Sequence, residues 1–316
     1  NNIVFGNHDS GIQLNADLSQ GGDGIITGAV VSGNVIYNNG AGGGAAFNLD
    51  GVQNSLFENN LLYNNHSSGF SLYMIDGAEG SKNNTIINNT VDEASDGRWA
   101  MNIQDGSTGN TLGNNILMNE NPDHGAIDIS ADSLPGLSSD YNAVKSSFTT
   151  NGGTVISLAQ WRTQTGQDAH SLSTTAATLF QNPAADDRRL LSNAAAVNAG
   201  TALNAPATDI DGMPRPVGAA IDIGAYEFAA TPSAPDYNHD GIVDAADYTV
   251  WRDTLGSATK LTADGNDTDI IDPGDYMAWK AHFGISGSGA STKSTVPEPA
   301  TIVLALFALL LLARRK

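Results

Sequence analysis

The amino-acid sequence predicts an all-β parallel solenoid, followed by a small all-α module and a C-terminal apolar helix. Three observations lead there. Asn34, Asn60, Asn89 and Asn115 recur at spacings of 26, 29 and 26 residues, each beside the same apolar columns. The stretch DYNHDGIVDAAD, Asp236 to Asp247, gathers carboxylates around a central glycine, and a second copy begins 28 residues on. Thr301 to Ala313 is an apolar run closed by Arg314, Arg315 and Lys316.

The solenoid comes first. VVSGNVIYNN from Val30, LFENNLLYNN from Leu56, TIINNTVDEA from Thr85 and TLGNNILMNE from Thr111 align on those asparagines. The columns Val31, Phe57, Ile86, Leu112 and Ile36, Leu62, Val91, Leu117 are wholly apolar. The turns Asp50-Gly51, Asp76-Gly77 and Asp105-Gly106 keep the same beat, each after a short alternating strand, AFNL, LYMI or MNIQ. A unit this small cannot bury its apolar face alone, but stacked units can, with coils about 4.8 Å apart. Asn suits the corners because it tolerates the left-handed region and its amide can bond the Asn of the next coil. The pattern resembles the right-handed parallel β-helix family, which includes many polysaccharide lyases and hydrolases. The resemblance covers residues 1–135, about five coils, and implies a fold rather than a function.

Residues 136–228 are expected to close the solenoid. Ser157 and Gln160 form a capping box for a helix that Gly166 ends. The stretch DIDGMPRPVGAAIDIGAYEF, from Asp209, offers a turn at Asp211-Gly212 and an alternating strand through Ile221, Ile223 and Ala225. This ending is similar to that of the choice-of-anchor Q group of surface β-helix proteins. Arg215, Asp222 and Glu227 suit either a substrate site or an ion-pair network capping the stack, and the cap is the expected role.

Charge and composition bound the rest. The 316-residue chain carries a net charge of -20, which excludes nucleic acid as a partner because phosphate binding needs a basic patch. There is no cysteine, hence no disulfide or thiolate metal site. Asn1 opens the sequence with no export signal ahead of it, while the C-terminal features require export, so a processed chain or a fragment is expected.

After a Pro-rich linker, 229–235, the module 236–284 carries the acidic motif. Asp236, Asn238, Asp240, Asp244 and Asp247 hold positions 1, 3, 5, 9 and 12 of a calcium loop. Gly241 makes the sharp turn, and Ile242 offers its carbonyl at position 7. In the second copy Asp264, Asn266, Thr268, Ile270, Asp272 and Asp275 take those roles, with Thr268 in place of an acid and Asp269 in place of the turn glycine. Tyr248, Trp251 and Leu255 fall on one helix face, as do Tyr276, Trp279 and Phe283, and are read as core between two helices. Two such loops, each with Asp at position 12 and a following helix, resemble the type I dockerin family. That resemblance implies bound calcium and a cohesin-like partner. The pairs Ala245-Ala246 and Pro273-Gly274, where that family often has Ser or Thr for the partner to read, depart from its pattern.

A Gly/Ser linker, 285–295, leads to residues 296–316. Val296, Pro297, Glu298 and Pro299, with the apolar helix and basic end, resemble the PEP-CTERM sorting signal. This implies an exosortase-type processing enzyme, a bacterial envelope, and a membrane helix with its basic end inside and all upstream residues outside.

Candidate chemistry in the solenoid is sparse. Lys82, Arg98 and Asp128 are the candidate catalytic residues, the first two as bases and the last because a strand, AIDIS, holds it. Asp50, Asp76 and Asp105 are read as turn formers, and Tyr37 with Tyr63 as a side-chain ladder. Two functions stay open: an exported, surface-sorted β-helix protein that binds or displays towards polysaccharide, or a polysaccharide lyase or glycoside hydrolase whose catalytic coils lie partly or wholly in an N-terminal region ahead of Asn1.

Overall fold

A computed structural model describes residues 1–150, 152–228, 235–238, 240, 242–260, 262–265 and 270–284. The chain divides into two compact units, Asn1–Phe228 and Ala229–Lys316.

The first unit is a parallel solenoid of about six turns, whose coils contribute strands to three long sheets. The first sheet runs through Ile3–Phe5, Val35–Tyr37, Leu61–Tyr63, Thr90–Glu93, Ile116–Asn119, Ala143–Val144 and Leu172–Ser173. The second runs through Ile12–Asn15, Ala45–Asp50, Ser68–Tyr73, Met101–Ile103, Ile127–Ile129 and Phe148–Thr150. The third holds Val30–Ser32, Leu56–Glu58, Thr85–Ile87, Thr111–Gly113 and Ser138–Asp140. Every pairing in these sheets is parallel, as coil-on-coil stacking demands.

Both apolar columns read from the sequence are in register. They meet a third column, Phe47, Phe70, Met101, Ile127 and Phe148, in one continuous buried core. Parallel coil pairing continues past residue 135, through Phe148–Thr150 to Leu172–Ser173.

The asparagine corners divide two jobs between neighbours. Asn34 donates its side-chain amide to Asn60 at 2.8 Å, Asn60 to Asn89 at 2.9 Å, Asn89 to Asn115 at 3.1 Å and Asn115 to Asn142 at 3.2 Å. The left-handed residue is the one before each rung: Gly33, Asn59, Asn88, Asn114 and Tyr141, with φ from 52° to 66°. One residue turns the chain and the next ties the coils.

Three expectations are corrected. LYMI is not a strand. The strand is Ser68–Tyr73, while Met74 and Ile75 lie beyond it and are exposed. Phe47 pairs with Phe70 and Phe70 with Met101, offsets of 23 and 31 residues, so the second sheet does not keep the Asp-Gly beat. Ile221, Ile223 and Ala225 form no strand either, and Asp222 between them is buried as they are.

The helix Leu158–Thr165 has the capping box of Ser157 with Gln160 and ends at Gly166, as expected. Its Trp161 stacks on Phe148 at 5.0 Å, which covers the last coil. Arg215 meets Glu227 at 2.6 Å with both side chains fully buried, and Asp222 accepts the Asn198 amide at 2.6 Å. This ion-pair network does not close the end of the stack. It straps the flank: Asn59 donates to the Thr208 carbonyl at 2.7 Å, Asn88 to Asp222 and Gly224 at 3.1 Å each, and Asn114 to Thr201 at 2.7 Å. The left-handed asparagines point outward, so their amides are free to fasten it.

In the second unit the helices Ala245–Thr254 and Pro273–His282 start at the N-caps Asp244 and Asp272. Tyr248, Trp251, Tyr276, Trp279 and Phe283 pack together between them, the core role read from their spacing, whereas Leu255, read as the third residue of the first face, lies past the helix end and is exposed.

Candidate functional site

Strand alternation sends every second residue of the second sheet outward. In register these are Gln13, Asn48, Ser71, Asn102, Asp128 and Thr149, a polar column on the outer face. Asn102 donates to Ser71 Oγ at 3.1 Å, so neighbouring coils support each other's side chains.

Toward the last coils this face deepens into a groove of about 420 Å³, lined by Arg98, Trp99, Asn102, His124, Asp128 and Thr149 among others. Trp99 meets the His124 ring edge-on at 5.4 Å. Thr149 is 1% exposed and its Oγ1 has no hydrogen-bond partner, nor has the buried Nδ1 of His124. Asp128 is buried and accepts the Gly152 amide at 3.1 Å. Burial holds its carboxyl above the usual range, against the pull of that amide and of His124. Arg98 is exposed, and among the described residues its guanidinium pairs with no carboxylate.

Of the three candidate catalytic residues, the fold thus brings Arg98 and Asp128 to one groove. Lys82 is elsewhere, paired with Glu79 at 3.0 Å. Sequence reasoning missed Trp99, Asn102, His124 and Thr149. Asn102 and Thr149 could have been found by aligning outward strand positions with Asp128; the corner residues Trp99 and His124 follow no period.

The other carboxylates are structural. Asp50 accepts the amides of Ile75, Asp76 and Gly77 at 3.0, 2.7 and 3.2 Å, and Asp105 takes the left-handed conformation of its turn. Tyr37 and Tyr63 stack at 4.9 Å, and Arg188 lies 4.4 Å over the Tyr63 ring, so this column is a ladder under cover.

In the second unit Asp236 and Asp247 of the first loop and Asp275 of the second are buried, and carboxylate oxygens are the hard donors that calcium takes. Asp247 accepts the Asn238 amide at 3.0 Å through one oxygen and the Asp244 amide at 2.7 Å through the other, tying both ends of its loop. Asp275 does the same for Gly265 and Asp272, at 2.8 and 2.7 Å. Burial, then the fields of Asp236 and Asp244, hold the Asp247 carboxyl above its usual range, against the pull of the two amides. Asp240 turns one oxygen to the Ile242 amide at 3.0 Å. Among the described residues no three acidic or histidine groups converge on one metal position. Gly241, Asn266, Thr268 and Asp269 lie outside the described residues, as do the linker residues 285–295, the sorting motif Val296, Pro297, Glu298 and Pro299, and the tail beyond it. Among the described residues no helix is long and apolar enough to cross a membrane.

The chain is a parallel β-helix solenoid. No family model matches it, and no curated protein matches it. Among solved structures it is similar to a crystal structure of a pectate lyase, Pel9A, at 12% identity and a TM-score of 0.37, covering 72% of this chain and 64% of that one. The chain thus spans less than two thirds of that lyase, and the fold rests on the strand pairing above.

Proposed function

We propose that the solenoid binds polysaccharide along the outer face of its second sheet, within an exported, surface-sorted protein whose second unit holds calcium. The observation that carries this reading is the groove itself. Thr149 Oγ1 and His124 Nδ1 are buried at its wall without partners. Buried polar atoms are normally satisfied, so such a wall suits a ligand rich in hydroxyl groups. Trp99 adds an aromatic surface, and Arg98 a guanidinium that favours an acidic sugar. When bound, calcium would neutralise and stiffen the loops through Asp236, Asn238, Asp240, Ile242, Asp244 and Asp247, and in the second copy through Asp264, Ile270, Asp272 and Asp275 with Asn266 and Thr268. A cohesin-like partner and exosortase processing belong to the same proposal.

A second reading, a lyase or hydrolase, draws on one observation: Asp128, held above the usual carboxylate range, shares the groove with Arg98 and His124. A carboxyl held above its ordinary range, in one groove with a guanidinium and an imidazole, is the kind of equipment acid–base chemistry uses.

One experiment separates the two. The full chain is incubated with acidic and neutral polysaccharides, and binding, unsaturated ends and new reducing ends are followed. Binding without either product supports the first reading, unsaturated ends a lyase, and reducing ends alone a hydrolase; no binding and no product refutes both. For the sorting proposal, deleting residues 296–316 should release the protein from the cell envelope, and retention of the shortened chain would refute it.

A further inference from the structure

Glu93 sits where its charge fits least. It ends the strand Thr90–Glu93 and is 0% exposed, and neither carboxylate oxygen has a hydrogen-bond partner. The alternation that turns Val91 into the core turns Glu93 the same way. Burial, and then the neighbouring Asp92, hold its carboxyl well above the usual range.

What lies against it is the rim of the groove. A Cβ on Gly69 would sit 3.0 Å from Glu93 Oε1, and one on Gly97 would sit 3.0 Å from Glu93 Cβ. These glycines belong to two stacked corners, joined by Arg98 N–H to the Ser67 carbonyl at 2.7 Å and Gly69 N–H to the Trp99 carbonyl at 3.1 Å. Ser68, Arg98 and Trp99 line the groove. The buried Ser67 Oγ has no partner either.

The nearby charges do not serve Glu93. Arg188 is engaged by Asp92 at 3.1 Å and by Asp186 at 3.0 Å. Glu120 in the next coil adds negative field at Asp92. Lys145 donates to the carbonyls of Asn119 and Asn121 and feels Glu120 and Asp123. At the corner, Asp96 pairs with His66 at 2.9 Å. Among the described residues no cation pairs with Glu93.

We propose that Glu93 is a neutral carboxylic acid whose burial keeps the Ser67–Gly69 and Gly97–Trp99 corners closed, and that its ionisation opens them, making the groove rim pH-sensitive. This rests on the reading of the groove as the binding face. The closed form keeps the proton, whereas an opened form ionises like an ordinary glutamate. Above the ordinary value the opened population therefore grows about tenfold per pH unit, until the closed form itself loses the proton. Acid closes the rim and base opens it.

The test is amide hydrogen exchange at Gly69 and Arg98 in the full chain, without ligand, for wild type and Glu93→Gln from about pH 5 to about pH 8. Intrinsic exchange chemistry cancels in the ratio of the two proteins. The ratio should climb about tenfold per pH unit, and a flat ratio overturns the proposal. If Glu93→Gln does not fold, wild type still decides: Gly69 exchange should gain the same slope relative to Ile103, and parallel profiles overturn the proposal. A slope without glycan binding sinks the binding reading alone and leaves the switch standing.

Discussion

Trp279 donates its indole N–H to the carbonyl of Asp244 at 2.8 Å, and Trp251 mirrors this on Asp272 at 2.9 Å. Each helix therefore holds the N-cap of the other. The amides of Gly284 and Gly256 repeat the exchange on Val243 and Ile271, both at 2.8 Å. The two loop–helix copies are cross-braced at the residues assigned to loop position 9.

Trp279→Phe keeps the ring and removes the donor. It should destabilise the unit by about 1–2 kcal/mol and weaken calcium binding up to about tenfold. Calorimetric titration of the full chain checks this; unaltered affinity would show that the brace and the loops are independent.

Asn89→Ala removes a middle rung. Asn89 accepts the backbone and side-chain amides of Asn60 at 3.0 and 2.9 Å, and donates to Phe57, Ile87 and Asn115. The partners stay buried and unpaired, so the loss should be about 2–4 kcal/mol in denaturant unfolding. A loss under about 1 kcal/mol, as for an exposed side chain, would mean that water replaces the rung.

Arg98→Ala should reduce affinity for acidic glycans about tenfold, consistent with one charge-assisted contact, and leave neutral glycans almost unaffected. Lys82→Ala, outside the groove, should change neither. Equal effects of the two substitutions would place binding elsewhere.

Stability should rise as pH falls from about 7 to about 5. Burial pushes Asp92 and Asp222 up to about 6 from an ordinary 3.8. Each binds its proton more tightly in the folded chain, so the destabilisation is absent below 3.8 and grows as pH climbs to about 6. Glu79 and Asp187, held low by Lys82 and Arg189, act oppositely, but only at more acidic pH. The midpoint of thermal unfolding, measured in high salt to screen surface repulsion, should be higher at the lower pH; a lower one would contradict the buried-carboxylate account.

The ladder was legible because a rung needs one side chain of fixed length at one place in each coil. Asn60, Asn89 and Asn115 leave that trace, as do Leu62, Val91 and Leu117 beneath them. The helix after Ser157 was legible because its caps are local. The groove was only half legible. Asp128 stood out within its strand, but coil lengths differ between Asn48, Ser71 and Asn102, which hid the column. His124 and Trp99 reach it from corners, where tertiary stacking alone decides position. The flank strap reads as an end cap in the sequence because an ion-pair set such as Arg215 with Glu227 names its partners and not its place.

That strap changes how the solenoid comes apart. A stack touching only nearest neighbours can peel coil by coil, like a spring pulled from one end. Here Asn59, Asn88 and Asn114 are stitched to a single thread, residues 198–228, which returns across three successive coils. Tension on one stitch is shared by the others. The seam makes these coils yield together, and it turns a chain of local contacts into a fabric.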